Sequence, residues 1–309
     1  MTAQHVIVGA GPIGSATARL LSAAGQQVRI VTRSGGGPDL PGVERVKADA
    51  VDTDRLSELA MGAAVVYNCA NPPYHRWATD WPPLAASLLA AAEASGAVLA
   101  TVSNLYGYGP VSGPITEQTP LHPGGTKGRV RVAMWQDALA AHRAGRVRAT
   151  EVRGSDYVGG GAQSHLGDRV VPRILAGKGV QVLGSADQPH TWTFVDDVAR
   201  LLVAVGSNEQ AWGQAWHVPS NPPRTQRQAV DDLARVAGVT PVKTSVVPGL
   251  VLRAMGLFNP QVRELPEVAY QLEHPFVMDS SAAQQTFGLE PTPWDDVLAA
   301  TVAHYRSAG

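Results

Sequence analysis

The chain has 309 residues, 44% of them hydrophobic, and its 25 lysines and arginines nearly balance its 26 aspartates and glutamates. This length and apolar content are enough for a buried core, and the lack of a basic cluster argues against a nucleic-acid-binding surface. The single cysteine, Cys69, excludes an internal disulfide.

The first residues, Met-Thr-Ala-Gln-His, lead directly into an apolar run and lack the basic and apolar regions of a signal peptide. The most apolar late stretch, 246–258, is interrupted by Pro248 and Gly249 and is shorter than the ~20 residues of a membrane span. We therefore expect a cytoplasmic protein without a membrane segment.

Short β-branched segments alternate with longer helical patterns in the first two thirds of the chain. The predicted strands are 6–8, 28–32, 43–46, 65–67, 98–102 and 147–152. The helices predicted between them are 13–24, 53–61, 84–94 and 126–144. Alternation at this spacing is typical of parallel strands, so the sequence predicts an α/β fold with a doubly wound parallel sheet.

From residue 154 onwards the sequence is richer in glycine, which indicates loops. The elements predicted there are 170–176, 195–205, 225–237 and 294–305 as helices, and 180–183 and 215–218 as strands. We predict a sheet domain at 1–153, to which the chain returns at about 193–218. The segments 154–192 and 219–309 would form a smaller substrate-binding region.

A glycine motif lies between the first strand and the first helix. Its residues Gly9, Gly11, Pro12, Ile13 and Gly14 follow the pattern Gly-x-Gly-x-x-Gly. The glycines permit a tight turn and a close backbone approach, and the helix N-terminus then faces an anion. The motif therefore predicts that the sheet domain binds the pyrophosphate of a dinucleotide.

The residues after the second strand indicate which dinucleotide is bound. An NAD site usually has an acidic residue about 20 residues after the glycines, where it bonds the ribose hydroxyls. Here the strand ends in Arg33 and Ser34. A guanidinium and a hydroxyl suit a 2′-phosphate, so we favour NADP(H) over NAD(H). The alternative is that Arg33 is an ordinary solvated loop residue.

Further motifs follow in a fixed order, at 49–52, 67–71, 102–107, 153–159 and 194–199. In this order the chain resembles, over nearly its whole length, the extended and atypical short-chain dehydrogenase/reductases, the NAD(P)-dependent epimerase/dehydratase-like proteins. The resemblance implies a Rossmann-type fold in which Asp49 and Ala50 lie against the adenine. It also implies that Cys69, Ala70 and Asn71 line the cofactor path.

The catalytic pair of that family is Tyr-x-x-x-Lys, and this sequence has only half of it. Lys127 is in the expected place, but the position four residues earlier is Pro123. The resemblance implies that Lys127 holds the nicotinamide ribose and that Ser103 ends the strand beneath the nicotinamide. Proline cannot exchange a proton with a substrate as a phenol does.

Three interpretations remain open. In the first, another group supplies the proton: Tyr106 is the preferred one, followed by Tyr74, His75, His122 and Tyr157. In the second, a desolvated Lys127 is itself the proton donor. In the third, hydride transfer has been lost and the protein is a non-catalytic NADP(H)-binding regulatory or partner protein.

Several aromatic and polar side chains are candidates for the substrate wall, namely Tyr74, His75, Trp77, Tyr157, His190 and Trp192. No group of residues has the spacing of metal ligands. The sequence thus predicts an NADP(H)-dependent oxidoreductase, epimerase or dehydratase acting on a carbonyl or hydroxyl of a small molecule. Relatives of this kind commonly form dimers, so a homodimer is a further expectation.

Overall fold

The computed structural model describes residues 4–307. Within them the strands are β1 (Gln4–Val8), β2 (Gln27–Thr32), β3 (Val43–Lys47), β4 (Ala63–Asn68), β5 (Val98–Asn104), β6 (Arg148–Gly154), β7 (Asp156–Val158), β8 (Val180–Val182), β9 (Trp192–Phe194), β10 (Ala215–His217) and β11 (Thr244–Val246). The outermost residues of the two predicted regions, 1–3 and 308–309, lie outside the described residues.

The helices of the same residues are α1 (Pro12–Ala23), α2 (Thr53–Ala60), α3 (Trp77–Ser95), α4 (Thr126–Arg143), α5 (Val171–Leu175), α6 (Val195–Ser207), α7 (Gln226–Ala237), α8 (Gly249–Gly256), α9 (Pro260–Arg263), α10 (Tyr270–Glu273), α11 (Ser281–Phe287) and α12 (Trp294–Ser307). Helices of the sheet region follow strands, as the alternating sequence pattern predicts. Thr225 caps α7 through a reciprocal capping box with Gln228.

Seven strands form one sheet in the order β10-β6-β5-β4-β1-β2-β3, and every neighbouring pair is parallel. This confirms the predicted Rossmann-type, doubly wound α/β fold. The strand predicted at 215–218 joins the edge of the sheet as β10. Two further parallel pairs, β7 with β9 and β8 with β11, lie outside this sheet, and the sequence analysis predicted only β8 among their four strands.

Both faces of the sheet are covered by apolar helices. On β1, Val6 and Val8 face the layer formed by α2, α3 and α4, while Ile7 faces the layer of α1 and α6. All three side chains are at most 3% exposed. Because alternate residues of a strand point to opposite faces, a strand buried on both sides reads as a continuous apolar run.

Helix α3 is longer than predicted, because it begins at Trp77 rather than at residue 84. Pro82 and Pro83 lie inside it, although proline removes a helical hydrogen bond. Trp77 and Trp81 are four residues apart on the same helix face and are only 4% and 0% exposed. Burial of the two tryptophans in the core stabilises the first turns of α3 despite the exposed prolines. The local sequence pattern alone did not reveal this burial.

A buried polar chain joins β6 to the edge strand β10. Arg153 donates to Glu151 Oε1 and to the Tyr108 hydroxyl, both at 2.7 Å. The Tyr108 hydroxyl lies 2.8 Å from Nε2 of His217, whose Nδ1 donates to the Asp279 carbonyl at 2.7 Å. The ring is therefore the tautomer in which Nε2 accepts from the tyrosine.

Acidification should destabilise the protein through this histidine. Burial lowers the pKa of His217 from 6.5 to about 4, so between these values the unfolded chain takes up a proton that the folded chain excludes. We expect the free energy of unfolding to fall as the pH drops from about 6.5 to about 4. Urea unfolding at a series of pH values measures this, and His217→Gln should remove part of the slope. An identical slope in the variant would contradict the assignment.

Candidate functional site

The turn between β1 and α1 depends on its glycines. Gly9 has a φ of +101°, and a Cβ there would lie 2.7 Å from the Cys69 carbonyl oxygen. A Cβ on Gly14 would collide with the Gly9 carbonyl, whereas a Cβ on Gly11 would meet no atom within 4 Å. The glycines thus pack the turn tightly on one side and leave open space on the other. This space lies at the N-terminal end of α1, where the helix dipole and free N–H groups favour an anion.

Two basic residues lie at the carboxyl ends of the neighbouring strands β2 and β3. Arg33 follows Thr32, and Lys47 pairs with Thr32 in the sheet register. The Arg33 side chain is exposed and makes no hydrogen bond or ion pair with the described residues. The loop after β2 borders the glycine turn, because a Cβ on Gly37 would lie 3.7 Å from Cβ of Ala10. Two cationic side chains are therefore available beside the glycine turn.

Ser34, Asp49 and Ala50 complete this edge of the sheet. The Ser34 hydroxyl accepts a hydrogen bond from the backbone N–H of Gly36 at 3.2 Å. Asp49 is exposed, and its Oδ1 accepts from the backbone N–H of Val51 at 3.2 Å. Ala50 is 8% exposed and belongs to the apolar core on the α2 side. Ser34 and Asp49 thus shape their own loops and keep further lone pairs for another contact.

The segment after β4 lies next to the glycine turn. Burial raises the pKa of the Cys69 thiol to about 12, so it stays protonated and is a packing residue, not a nucleophile. The Ala70 backbone N–H donates to the Asn68 side chain at 3.3 Å. The Asn71 side chain donates to Gln163 Oε1 at 3.4 Å, which connects the end of β4 to the loop after β7.

Ser103 lies near the carboxyl end of β5 and carries an unpaired hydroxyl. Its side chain is 2% exposed, and its Oγ has no hydrogen-bond partner in the described part of the chain. The Tyr157 hydroxyl donates to the backbone carbonyl of Ser103 at 2.5 Å. Because a buried hydroxyl without a partner is costly, Ser103 Oγ is a group to which a bound ligand could hydrogen-bond.

Tyr74 and Tyr106 meet at this point. The Tyr74 hydroxyl donates to the Tyr106 hydroxyl at 3.3 Å, and both rings pack against Trp77. Burial raises the pKa of Tyr74 and raises that of Tyr106 well above its usual value. Burial also raises the pKa of Tyr157. These phenols therefore keep their protons at neutral pH and can donate hydrogen bonds, but they release a proton reluctantly.

Lys127 is the second residue of α4, and its side chain is 2% exposed. Its Nζ lies 2.5 Å from Glu264 Oε2 and 3.2 Å from Glu267 Oε2, and its backbone N–H donates to Glu267 Oε1 at 2.6 Å. The ammonium is also 4.6 Å from the centre of the Tyr74 ring. Sequence analysis missed both glutamates, because they lie 137 and 140 residues from the lysine and form no motif.

Pro123 does not lie on the helix that carries Lys127, because α4 begins at Thr126. It packs on the first turn of α4, where a Cβ on Gly128 would lie 2.8 Å from the Pro123 Cβ. The position four residues before the lysine therefore has a packing role in this chain.

Four other sequence candidates lie at the surface or in the core. The His75 and His122 side chains are exposed. Trp77 and Trp192 are 4% and 3% exposed, and their indole N–H groups donate to backbone carbonyls at 3.1 and 3.0 Å. Both tryptophan rings are thus buried, and their indole N–H groups are already hydrogen-bonded.

A second group of titratable side chains surrounds Asp156. Its Oδ2 lies 2.8 Å from Nε2 of His190, and its Oδ1 lies 3.8 Å from Nε2 of His165. Burial alone would raise the pKa of Asp156, but the charge of His165 and the close contact with His190 more than compensate, so its pKa is lowered. Sequence analysis singled out His190 but missed Asp156 and His165, because the three residues form no local motif and come together only in the fold.

The described residues contain no group of three or more His, Cys, Asp or Glu side chains that could hold a metal ion. Between residues 4 and 307, every helix is too short or too polar to span a membrane.

The chain is similar to a known protein family. The family model described as NAD dependent epimerase/dehydratase family matches residues 5–218. The comparison with curated proteins found no match.

Solved structures with the same fold match the chain along its whole length. UDP-glucose 4-epimerase from Thermotoga maritima, solved with UDP-glucose, has a TM-score of 0.80 at 17% identity, covering 99% of each chain. The enzyme WbmH from Bordetella bronchiseptica, solved with NAD+, has a TM-score of 0.76 at 18% identity, with full coverage of both chains (100%). The dTDP-glucose 4,6-dehydratase DesIV from Streptomyces venezuelae, solved with NAD bound, has a TM-score of 0.75 at 20% identity, covering 98% of this chain and 97% of DesIV.

The contacts of Lys127 predict that removing its charge loosens the segment 264–273. Hydrogen bonds to a charged group stabilise by about 1.5–3 kcal/mol, so Lys127→Met should speed amide exchange there about tenfold or more. Hydrogen exchange followed by mass spectrometry measures this. Arg129→Met, an exposed cation on the same helix, serves as the control. Unchanged exchange in the Lys127 variant would show that the glutamates do not depend on the lysine.

Proposed function

Because the chain belongs to the NAD-dependent epimerase/dehydratase family, we propose that it is an NADP(H)-dependent enzyme acting on a carbonyl or hydroxyl group of a small molecule. The observation that carries the proposal is the open space at Gly11, where the glycine turn meets the N-terminal end of α1. A dinucleotide pyrophosphate requires such a space, and any side chain larger than hydrogen at Gly11 would project into it.

The preference for NADP(H) rests on Arg33 and Lys47. Six of the solved structures compared carry NAD, so the proposal of NADP(H) depends on residues of this chain alone. In this chain Arg33 stands where an NAD site has a carboxylate, and Lys47 lies on the adjacent strand. A 2′-phosphate would bring a charge that both side chains can neutralise, whereas the ribose hydroxyls of NAD would leave both cations without a charged partner.

The substrate would bind beside Ser103, between the carboxyl edge of the sheet and the segments 154–192 and 219–309. A bound nicotinamide dinucleotide supplies or takes up a hydride. Ser103 Oγ can hydrogen-bond a substrate oxygen because it has no partner among residues 4–307. Tyr106 can donate a second hydrogen bond, since it retains its proton. Lys127 would fix the nicotinamide ribose, and the two glutamates that contact it would limit its movement.

A second candidate function is a non-catalytic NADP(H)-binding regulatory or partner protein. Two observations favour it: Pro123 stands where the family has its tyrosine, and the Lys127 ammonium is already bound by two carboxylates. A protein of this kind would bind the dinucleotide without turning over a substrate.

Cofactor preference tests the first part of the proposal. Arg33→Ala should weaken NADPH binding about tenfold or more, because it removes a charge-assisted contact, and should leave NADH binding unchanged. Gly11→Ala should weaken the binding of both. Arg143→Ala removes an exposed arginine at the far end of α4 and should affect neither. Dissociation constants from fluorescence titration give the result. Equal NADPH and NADH affinities, unchanged by Arg33→Ala, would remove the argument for NADP(H).

Turnover tests the second part. Purified protein is incubated with NADPH and a panel of ketones, aldehydes and sugar nucleotides, and the nicotinamide absorbance is followed. We expect turnover of at least one compound and a loss of about 100-fold or more in kcat/KM for Lys127→Met, while Arg129→Met behaves as wild type. Tight NADPH binding without turnover, and without isomerised or dehydrated product, would favour the regulatory function.

A further inference from the structure

We propose that His165 is the residue that exchanges a proton with the substrate oxygen, and that Asp156 and His190 hold it in position. This inference rests on the proposed function and supplies the group that Pro123 cannot provide. It assigns His165 as a catalytic residue, with Asp156 as the residue that positions it.

Asp156 lies between a buried histidine and an accessible one, as expected for a carboxylate that positions a general acid or base. His190 is 2% exposed, and its Nδ1 donates to the Gln271 carbonyl at 3.0 Å, so this ring is fixed. Its Nε2 lies 2.8 Å from Asp156 Oδ2, while the other carboxylate oxygen faces His165 Nε2 at 3.8 Å. The His165 side chain is 24% exposed and is the most accessible of the three. One carboxylate oxygen thus faces a buried, fixed histidine, and the other faces the accessible histidine, which is the arrangement of a carboxylate placed to position a general acid or base.

The loop that carries His165 lies over the proposed cofactor site. Gln163, two residues earlier, accepts from the Asn71 side chain at 3.4 Å. A Cβ on Gly161 would lie 3.5 Å from Cγ of Pro12. The loop therefore contacts both the glycine turn and the end of β4, and His165 follows directly on these contacts.

The other side of the cluster lies next to Ser103. Tyr157 follows Asp156 directly in β7, and its hydroxyl donates to the Ser103 carbonyl at 2.5 Å. Asp156 thus belongs to the short strand that contacts the end of β5, and His165 lies 3.8 Å from its carboxylate. The charge of Asp156 also adds to burial in raising the pKa of Tyr106. Contacts of this cluster therefore reach both the cofactor loop and the strand end that carries Ser103.

The other candidates are less suited to proton transfer. Tyr74 and Tyr106 release their protons reluctantly, and the Tyr157 hydroxyl is engaged with the Ser103 carbonyl. The ammonium of Lys127 is bound by two carboxylates. Histidine is the side chain best able to gain and lose a proton near neutral pH. His165 Nδ1 makes no hydrogen bond within residues 4–307, so it is free to meet a ligand. The 3.8 Å separation from Asp156 is compatible with this role, since catalytic hydrogen bonds are often long before substrate binds.

The proton that His165 would transfer is the one that completes reduction of a carbonyl. A bound NADPH would supply the hydride to the carbonyl carbon and leave as NADP+, and the electrons of the carbon–oxygen π bond would move to the oxygen. That oxygen takes the Nδ1 proton of the His165 imidazolium and becomes a hydroxyl group. His165 is left neutral with its Nε2–H directed at Asp156, and its exposure lets it regain a proton from solvent. In the oxidative direction the same ring accepts the proton.

The test combines His165→Ala, Asp156→Asn and the control His274→Ala, which removes an exposed histidine of the same chain. We expect His165→Ala to lower kcat by about 100-fold or more with an unchanged NADPH dissociation constant, and added imidazole to restore part of the loss. His274→Ala should match wild type. Asp156→Asn should lower kcat less than His165→Ala does, and imidazole should not restore it.

A readout that needs no turnover accompanies the kinetics. In carbon-13 spectra of the Asp156 carboxyl group, His165→Ala should raise its pKa, because one of the charges that lower it is gone. An unchanged carboxyl pKa would overturn the pairing. Wild-type turnover that His165→Ala leaves intact would overturn the catalytic role alone. NADPH binding without any wild-type turnover would overturn the proposed function, and the catalytic role with it.

Discussion

The burial of the Lys127 ammonium is the constraint on which the geometry of the candidate site depends. A lysine side chain that is 2% exposed needs carboxylate partners, and the chain supplies Glu264 and Glu267 from a segment far away in sequence. The contact joins the first turn of α4 to the residues just before α10. It thereby brings the late part of the chain against the carboxyl edge of the sheet, where Tyr74 and Tyr106 also lie. Folding of that late segment and formation of the site are therefore coupled.

Most of the sheet could be predicted from the sequence. Buried parallel strands appear as apolar runs, so β1 to β6 were located to within a few residues, and the glycine motif identified the turn that faces the open space. The order of the later motifs indicated the family, which the family model confirms over residues 5–218. Local patterns were sufficient here because the strands, the helices and the glycine turn each depend on neighbouring residues.

The parts that could not be predicted depend on long-range contacts. Helix α3 extends back through two prolines because Trp77 and Trp81 are buried in the core, and no local signal reports that burial. The short strands β7, β9 and β11 have three residues each and exist through pairing with distant segments. The same limit applied to the candidate site: the sequence singled out Lys127 but not its glutamates, and His190 but not the Asp156 that it faces.

Strand β10 pairs with the sheet edge but comes from a late part of the sequence, and this affects how the chain folds. Its partner β6 ends at Gly154, but β10 begins only at Ala215, so the chain between them must be made before this pairing can form. During synthesis β6 would present an unpaired parallel edge, which is a surface prone to pairing with another chain. Since Arg153, Tyr108 and His217 join the two strands, the polar chain that locks the edge can assemble only after that interval. Rapid closure of this edge would therefore protect the nascent protein from aggregation.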